Sequence, residues 1–248
     1  MKPVNIIKGI LCLVSLVFAT ALVLSCNNTK NSDRKEEIAS INVFVKCSPN
    51  VEEAIRTFNN NLMSKGLLTK YNLKPFLKNH PVHLTLYLTD YDITELGKIK
   101  EYVKTIAQDT KKFPIETSNF SLSAGNWILL GADKNKQLQK LSDNVISKLN
   151  ALRYKGSEVP SWAMSIPAKK ESFEKYGSPN AFSQFDPHFS VLAANITKEN
   201  QKAFTSDINS VIGDSNIKPM TTEVESIGIG FTDSYGQVTK VEAIFPLQ

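Results

Sequence analysis

The chain has 248 residues, 42% of them hydrophobic, three cysteines and a formal net charge of +5. Residues 1–25 hold two lysines (Lys2, Lys8) and no acid, so without them the charge falls from +5 to +3. So small a balance, with three arginines in all (Arg34, Arg56, Arg153), argues against a surface that coats nucleic acid or reads base edges. Cys47 is the one cysteine past residue 26, which excludes a disulfide within the globular part and a metal centre built on cysteines.

The chain opens on a targeting pattern. After the basic start, Ile10 to Leu24 is apolar but short for a membrane span. The run ends at Leu22-Val23-Leu24-Ser25-Cys26, which resembles a bacterial lipoprotein cleavage box with Val23 where Leu is usual. The expected mature protein starts at a lipidated Cys26; an uncleaved anchor or an ordinary signal peptide are the other ways to read the stretch. Asn27, by resemblance to enterobacterial sorting rules, points toward the outer membrane. The expected location is therefore the bacterial cell envelope, lipid-anchored. The polar residues up to Ile38 read as a flexible tether. The expected division is 1–25 signal, 26–38 tether and 39–248 one domain, long enough to bury a sizeable core.

Ile41 to Val45 alternates and predicts a strand. Val51 to Lys65 predicts an amphipathic helix with Val51, Ala54, Ile55, Phe58 and Leu62 inward and Gly66 as its stop. Val82 to Thr89 predicts a strand with His83, Thr85, Tyr87 and Thr89 on one face and Leu84, Leu86 and Leu88 on the other. Thr94 to Thr110 predicts a helix capped by Thr94. Ile115 to Ser123 and Trp127 to Ala132 predict a hairpin, and Asn135 to Leu152 a helix. Residues 154–187 are irregular and aromatic, with a short helix over Ala168 to Tyr176. His188 to Ile196 predicts a strand, Lys198 to Ile212 a helix, and Thr221 to Phe231 with Val238 to Phe245 a closing hairpin.

Two of the three histidines share a pattern: His83-Leu84-Thr85-Leu86 and, 105 residues later, His188-Phe189-Ser190-Val191. On a strand, each tetrapeptide presents an imidazole and a hydroxyl on one surface. One such motif would fit any polar sheet edge; the argument rests on the pair. Brought to one cleft, they offer two proton-transfer groups and two hydroxyl donors. Each motif strand is followed by a helix and a hairpin, a weak repeat of architecture. The predicted class is α+β: two pseudo-symmetric lobes of antiparallel sheet, helices outside, motif strands lining a central cleft.

The segments His80-Pro81-Val82-His83-Leu84-Thr85-Leu86 and Phe185-Asp186-Pro187-His188-Phe189-Ser190-Val191-Leu192-Ala193 resemble the two-histidine (2H) phosphoesterase superfamily. That superfamily includes the 2′-5′ RNA ligase-like proteins and the cyclic nucleotide phosphodiesterases. The resemblance implies the two-lobed fold just described. It also implies metal-independent opening of a 2′,3′-cyclic phosphate or cleavage of a 2′,5′ linkage in a nucleotide or short RNA. His83 and His188 would be the acid and base, in an order the sequence leaves open, and Thr85 and Ser190 would hold the phosphoryl oxygens. Tyr87 shares the face of His83 and is a candidate contact to phosphate or sugar; Trp162 and Phe185 are candidates for stacking on a base. Trp127 and Trp162 read equally well as core. His80 and His83 flank Pro81 with no acid between them, so no metal and no cofactor is expected. No Gly-rich nucleotide loop supports an ATP-driven ligation. The competing expectation is an envelope lipoprotein of the same fold that binds a phosphorylated ligand without turnover, or a plain structural domain. No stable protein partner is expected.

Overall fold

The computed structural model describes residues 37–248 apart from residue 75. The chain divides into two units, 1–35 and 36–248, and the architecture below is that of the second. The leader, Cys26 and all but the last residues of the expected tether lie outside the described residues.

The strands are β1 (Ile38–Cys47), β2 (Leu84–Asp92), β3 (Phe113–Leu122), β4 (Trp127–Ala132), β5 (His188–Ala193), β6 (Thr221–Thr232) and β7 (Val238–Pro246). The helices are α1 (Pro49–Ser64), α2 (Leu67–Lys70), α3 (Leu96–Gln108), α4 (Lys136–Leu149), α5 (Ser161–Met164), α6 (Pro167–Tyr176) and α7 (Gln201–Asp214). All strand pairs are antiparallel, in the order β1-β2-β5-β4-β3-β6-β7, and β6 also pairs with β1. Two strand groups stand out in this α+β sheet: β2-β1-β6-β7 and β5-β4-β3. They join at β3–β6 through four residue pairs, Phe113↔Val224 to Glu116↔Thr221, and at β2–β5 through one, Leu84↔Phe189.

Local chemistry accounts for these elements. Ile41, Val43 and Val45 are fully buried, as befits a strand paired on both edges and covered on both faces. In α1 the apolar stripe Val51, Ile55, Phe58 and Leu62 is buried, and Pro49 stands in its first turn, where the missing N–H costs nothing. Gly66 then takes φ +71, a left-handed backbone that a side chain would resist, and α1 ends. In α4 the Asn135 side chain accepts from the Leu138 N–H at 2.8 Å, a cap worth about 1 kcal/mol.

The cap before α3 differs from expectation. The Asp92 carboxylate, not Thr94, closes the turn: it accepts from the Thr94 N–H at 2.8 Å and from the Thr94 hydroxyl at 2.7 Å. An ionised carboxylate is the stronger acceptor, so Thr94 becomes a donor to it. The irregular segment also holds a helix not foreseen, α5, too short to show a period. No helix of the described residues is long and apolar enough to cross a membrane.

Candidate active site

The single pair Leu84↔Phe189 places the two motifs side by side. Both side chains of that pair are buried, as are Leu86 and Val191. By strand alternation, His83, Thr85, His188 and Ser190 take the opposite face. His83 and Thr85 flank that pair on one strand and His188 and Ser190 flank it on the other. The two motifs thus meet at one residue pair, and charge on the His188 ring is felt at His83.

The imidazoles are held in the same way. His83 Nδ1 lies 2.8 Å from the Pro81 carbonyl oxygen, and His188 Nδ1 lies 2.8 Å from the Asp186 carbonyl oxygen. A carbonyl only accepts, so Nδ1 carries the proton in both rings and donates it. Each Nε2 is then the nitrogen with a lone pair to offer in the neutral ring. In each case the acceptor is the carbonyl two residues back, with a proline at or next to it: Pro81 itself before His83, and Asp186, followed by Pro187, before His188.

The two rings differ in surroundings. His188 is half-buried, whereas His83 is 5% exposed with the Phe44 ring edge-on at 5.5 Å between centroids. Burial lowers the His83 imidazole to about 4, and positive charge on His80 or His188 pushes the same way; the Pro81 carbonyl and Asp233 oppose. At neutral pH His83 is therefore uncharged. Phe44 has its place because Gly228 and Gly230 on β6 have no side chains: a Cβ at Gly228 would fall on the Phe44 ring.

Behind Thr85 stands Asn42 of β1, fully buried, whose Nδ2 donates to the Thr85 hydroxyl at 2.8 Å. Tyr87 has a different fate. Its hydroxyl donates to the Tyr176 carbonyl at 2.6 Å and its ring is 1% exposed, with burial raising the phenol. The β1–β2 register shifts between Val43 and Phe44, so Thr85 lies opposite Phe44 while Tyr87 lies opposite Val43 and Thr89 opposite Ile41, both turned to the buried side. There a Cβ at Gly177 would meet the Thr89 hydroxyl and Arg153. Phe185 is a buried core residue, and Trp162 stands 53% exposed on α5.

A cleft of about 830 Å³ opens beside His80, lined by Tyr71, Lys74, Trp127, Asp233 and Tyr235 among others; His83, Thr85, His188 and Ser190 are not among its lining residues. Neither Trp162 nor Phe185 lines it; the aromatics that do are Tyr71, Trp127 and Tyr235. His80 Nδ1 is 3.2 Å from the Val238 carbonyl oxygen and its Nε2 is 3.8 Å from Asp233. Trp127 and Tyr235 meet edge to face at 6.1 Å. Asp233 and Tyr235 sit in the β6–β7 turn, and only an exposed aromatic in a four-residue turn signalled them in the sequence. Among the described residues no group of three or more His, Cys, Asp or Glu is disposed to hold a metal. Cys47 lies apart, its thiol raised to about 12 by burial and then by Glu225.

This arrangement can hold a tetrahedral anion between two hydroxyls and pass protons on either side of it. The fold that carries it is shared with solved structures. The chain superposes on TT0787 of Thermus thermophilus with a TM-score of 0.54 and 14% identity, over 84% of this chain and 97% of that one. It superposes on E. coli LigT in apo form with a TM-score of 0.51 and 14% identity, over 86% and 99%. No curated protein matches by sequence. Residues 92–237, more than half of the chain, match the family described as Protein of unknown function (DUF1045), and the chain belongs to that family.

Proposed function

We propose that this protein is a two-histidine phosphoesterase that cleaves 2′,3′-cyclic phosphates or 2′,5′-phosphodiesters in nucleotides or short RNA, without metal or cofactor. One observation carries the reading: two imidazoles, each with Nδ1 tied to a carbonyl two residues back, flank two hydroxyls on adjoining strands. Shared fold with LigT and TT0787 agrees with it.

In the mechanism, neutral His83 takes the proton from the attacking hydroxyl or water at Nε2, because its burial keeps it uncharged. His188, the more exposed ring, serves as the acid and gives its Nε2 proton to the leaving oxygen. The proton count balances: one is accepted and one donated per turnover, and solvent exchange resets both rings. Thr85 and Ser190 donate to the non-bridging oxygens as charge builds there. The nucleoside lies in the cleft beside His80, against Trp127 and Tyr235.

Turnover of 2′,3′-cyclic nucleotides and 2′-5′ dinucleotides by the full chain, with EDTA present, tests this. Activity that survives EDTA and drops by roughly 100-fold or more in both His83→Ala and His188→Ala supports it. Inactive but folded wild-type protein that still binds phosphate would make it a binding module instead. The proposed mature form is lipid-anchored at Cys26 in the envelope, a reading that rests on the sequence of the leader alone. Radiolabelled palmitate should enter wild-type protein in bacteria and be absent from Cys26→Ala; label in neither would overturn the anchor.

A further inference from the structure

Asn42 lies in the middle of β1, between Leu88 of β2 and Gly230 of β6, in a run of otherwise apolar buried residues. Its side chain is wholly buried, yet its Oδ1 has no hydrogen-bond partner among the described residues. A buried acceptor left unpaired destabilises a fold, and a leucine would fill similar space without that cost. Nothing in the packing of β1 calls for an amide. What the amide does do is donate from Nδ2 to Thr85 Oγ1 at 2.8 Å.

A threonine hydroxyl has one proton to give and lone pairs to receive. Once Asn42 donates to the oxygen, that proton cannot point at Asn42. It is left for the open face, where His83, His188 and Ser190 gather. Had the hydroxyl instead faced a carbonyl or carboxylate, its proton would be consumed and an anion on the open face would meet a lone pair. Among the described residues Ser190 has no such device: on β4 it is paired with Leu129, whose side chain offers no hydrogen bond. The two motifs are therefore unequal, with one hydroxyl aimed in advance and one free to turn.

We infer that Asn42 is a positioning residue that fixes the Thr85 hydroxyl as a donor to a phosphoryl oxygen, so that the phosphate is registered on Thr85 before Ser190 closes on it. This rests on the phosphoesterase reading and adds to it a residue outside both motifs. It acts through Thr85 and does not touch the substrate.

The test is a double-mutant cycle on the full-length protein in detergent, with a 2′,3′-cyclic nucleotide as substrate. Asn42→Leu should lower kcat roughly 10- to 100-fold, a share of what a whole oxyanion donor supplies. Its melting temperature should stay at or above that of wild type. Asn42→Asp should lose more, because a carboxylate takes the Thr85 proton and sets negative charge behind the phosphate. Asn42→Ser, which keeps a short donor, should retain more activity than either. In a Thr85→Ala background Asn42→Leu should change kcat less than about threefold, since the group it aims is gone. Asn42→Leu within twofold of wild type while Thr85→Ala loses tenfold would overturn the inference and leave the phosphoesterase intact. So would losses that simply add. Wild type without turnover, or unaffected by Thr85→Ala, would instead bring down the phosphoesterase reading and this inference with it.

Discussion

Burial does two things to His83 that pull against each other: it keeps the ring neutral and able to accept a proton, and it makes the ring a weaker base. The unfolded imidazole titrates near 6.5 and the folded one near 4, so between those values the unfolded chain binds more protons. Stability is then complete above about pH 6.5 and falls as pH drops toward 4. The loss approaches about 3 kcal/mol from this ring, at 1.36 kcal/mol per unit. Urea titrations at pH 7 and pH 4 should show that loss in wild type and a clearly smaller one in His83→Asn. The same shift places the acid limb of kcat/KM near pH 4 and not near 6.5, read directly from a pH–rate profile. Tyr87 makes the contrasting case. Its hydroxyl serves the Tyr176 carbonyl, so Tyr87→Phe should cost about 1 kcal/mol of stability and leave KM within twofold. A large rise in KM would return Tyr87 to the substrate. Both histidine motifs were readable in the sequence because a two-residue period fixes which side chains share a face. Asn42 was not, because one polar residue among apolar ones gives no hint of which distant hydroxyl it meets.

At the scale of elements, alternation told which side chains of β2 start on the site's face but not where the alternation breaks. The β1–β2 register shifts between Val43 and Phe44, so Thr85 lies opposite Phe44 while Tyr87 lies opposite Val43 and Thr89 opposite Ile41. That is why Tyr87 looked like a cleft residue and turns instead to the buried side, where its hydroxyl meets the Tyr176 carbonyl at the end of α6. Phe185 was likewise legible only as an aromatic near His188; its burial depends on elements far off in the chain. Helices came through better, since the stripes of α1, α3, α4 and α7 repeat often enough to be counted, whereas four-residue α5 cannot show a period. The support behind His83 is built of elements too. Gly228 on β6 leaves room for Phe44 on β1, which packs on His83. Gly228→Ala should push Phe44 toward the imidazole and destabilise the protein by about 1–3 kcal/mol, with activity falling further than stability alone explains. Pairing Gly228→Ala with Phe44→Leu should recover part of both, as a thermal melt and a rate assay would show.

For the whole molecule, the two strand groups of the sheet are joined on the active side by Leu84 and Phe189 alone. The four site residues straddle that join. On the proposed reading, a phosphate bound by Thr85 on one strand and Ser190 on the other works as a suture across the seam. In its absence the seam is the place where the sheet can gape, and amides flanking it should exchange with deuterated solvent earlier than those of the long β1–β6 ladder. Saturating phosphate should slow that exchange locally and raise the melting temperature, through a stabilisation of about 2.7 kcal/mol at a hundred times its Kd. Substrate, on the proposed reading, is a missing rung of the sheet, and the protein is at its most rigid only while it holds one.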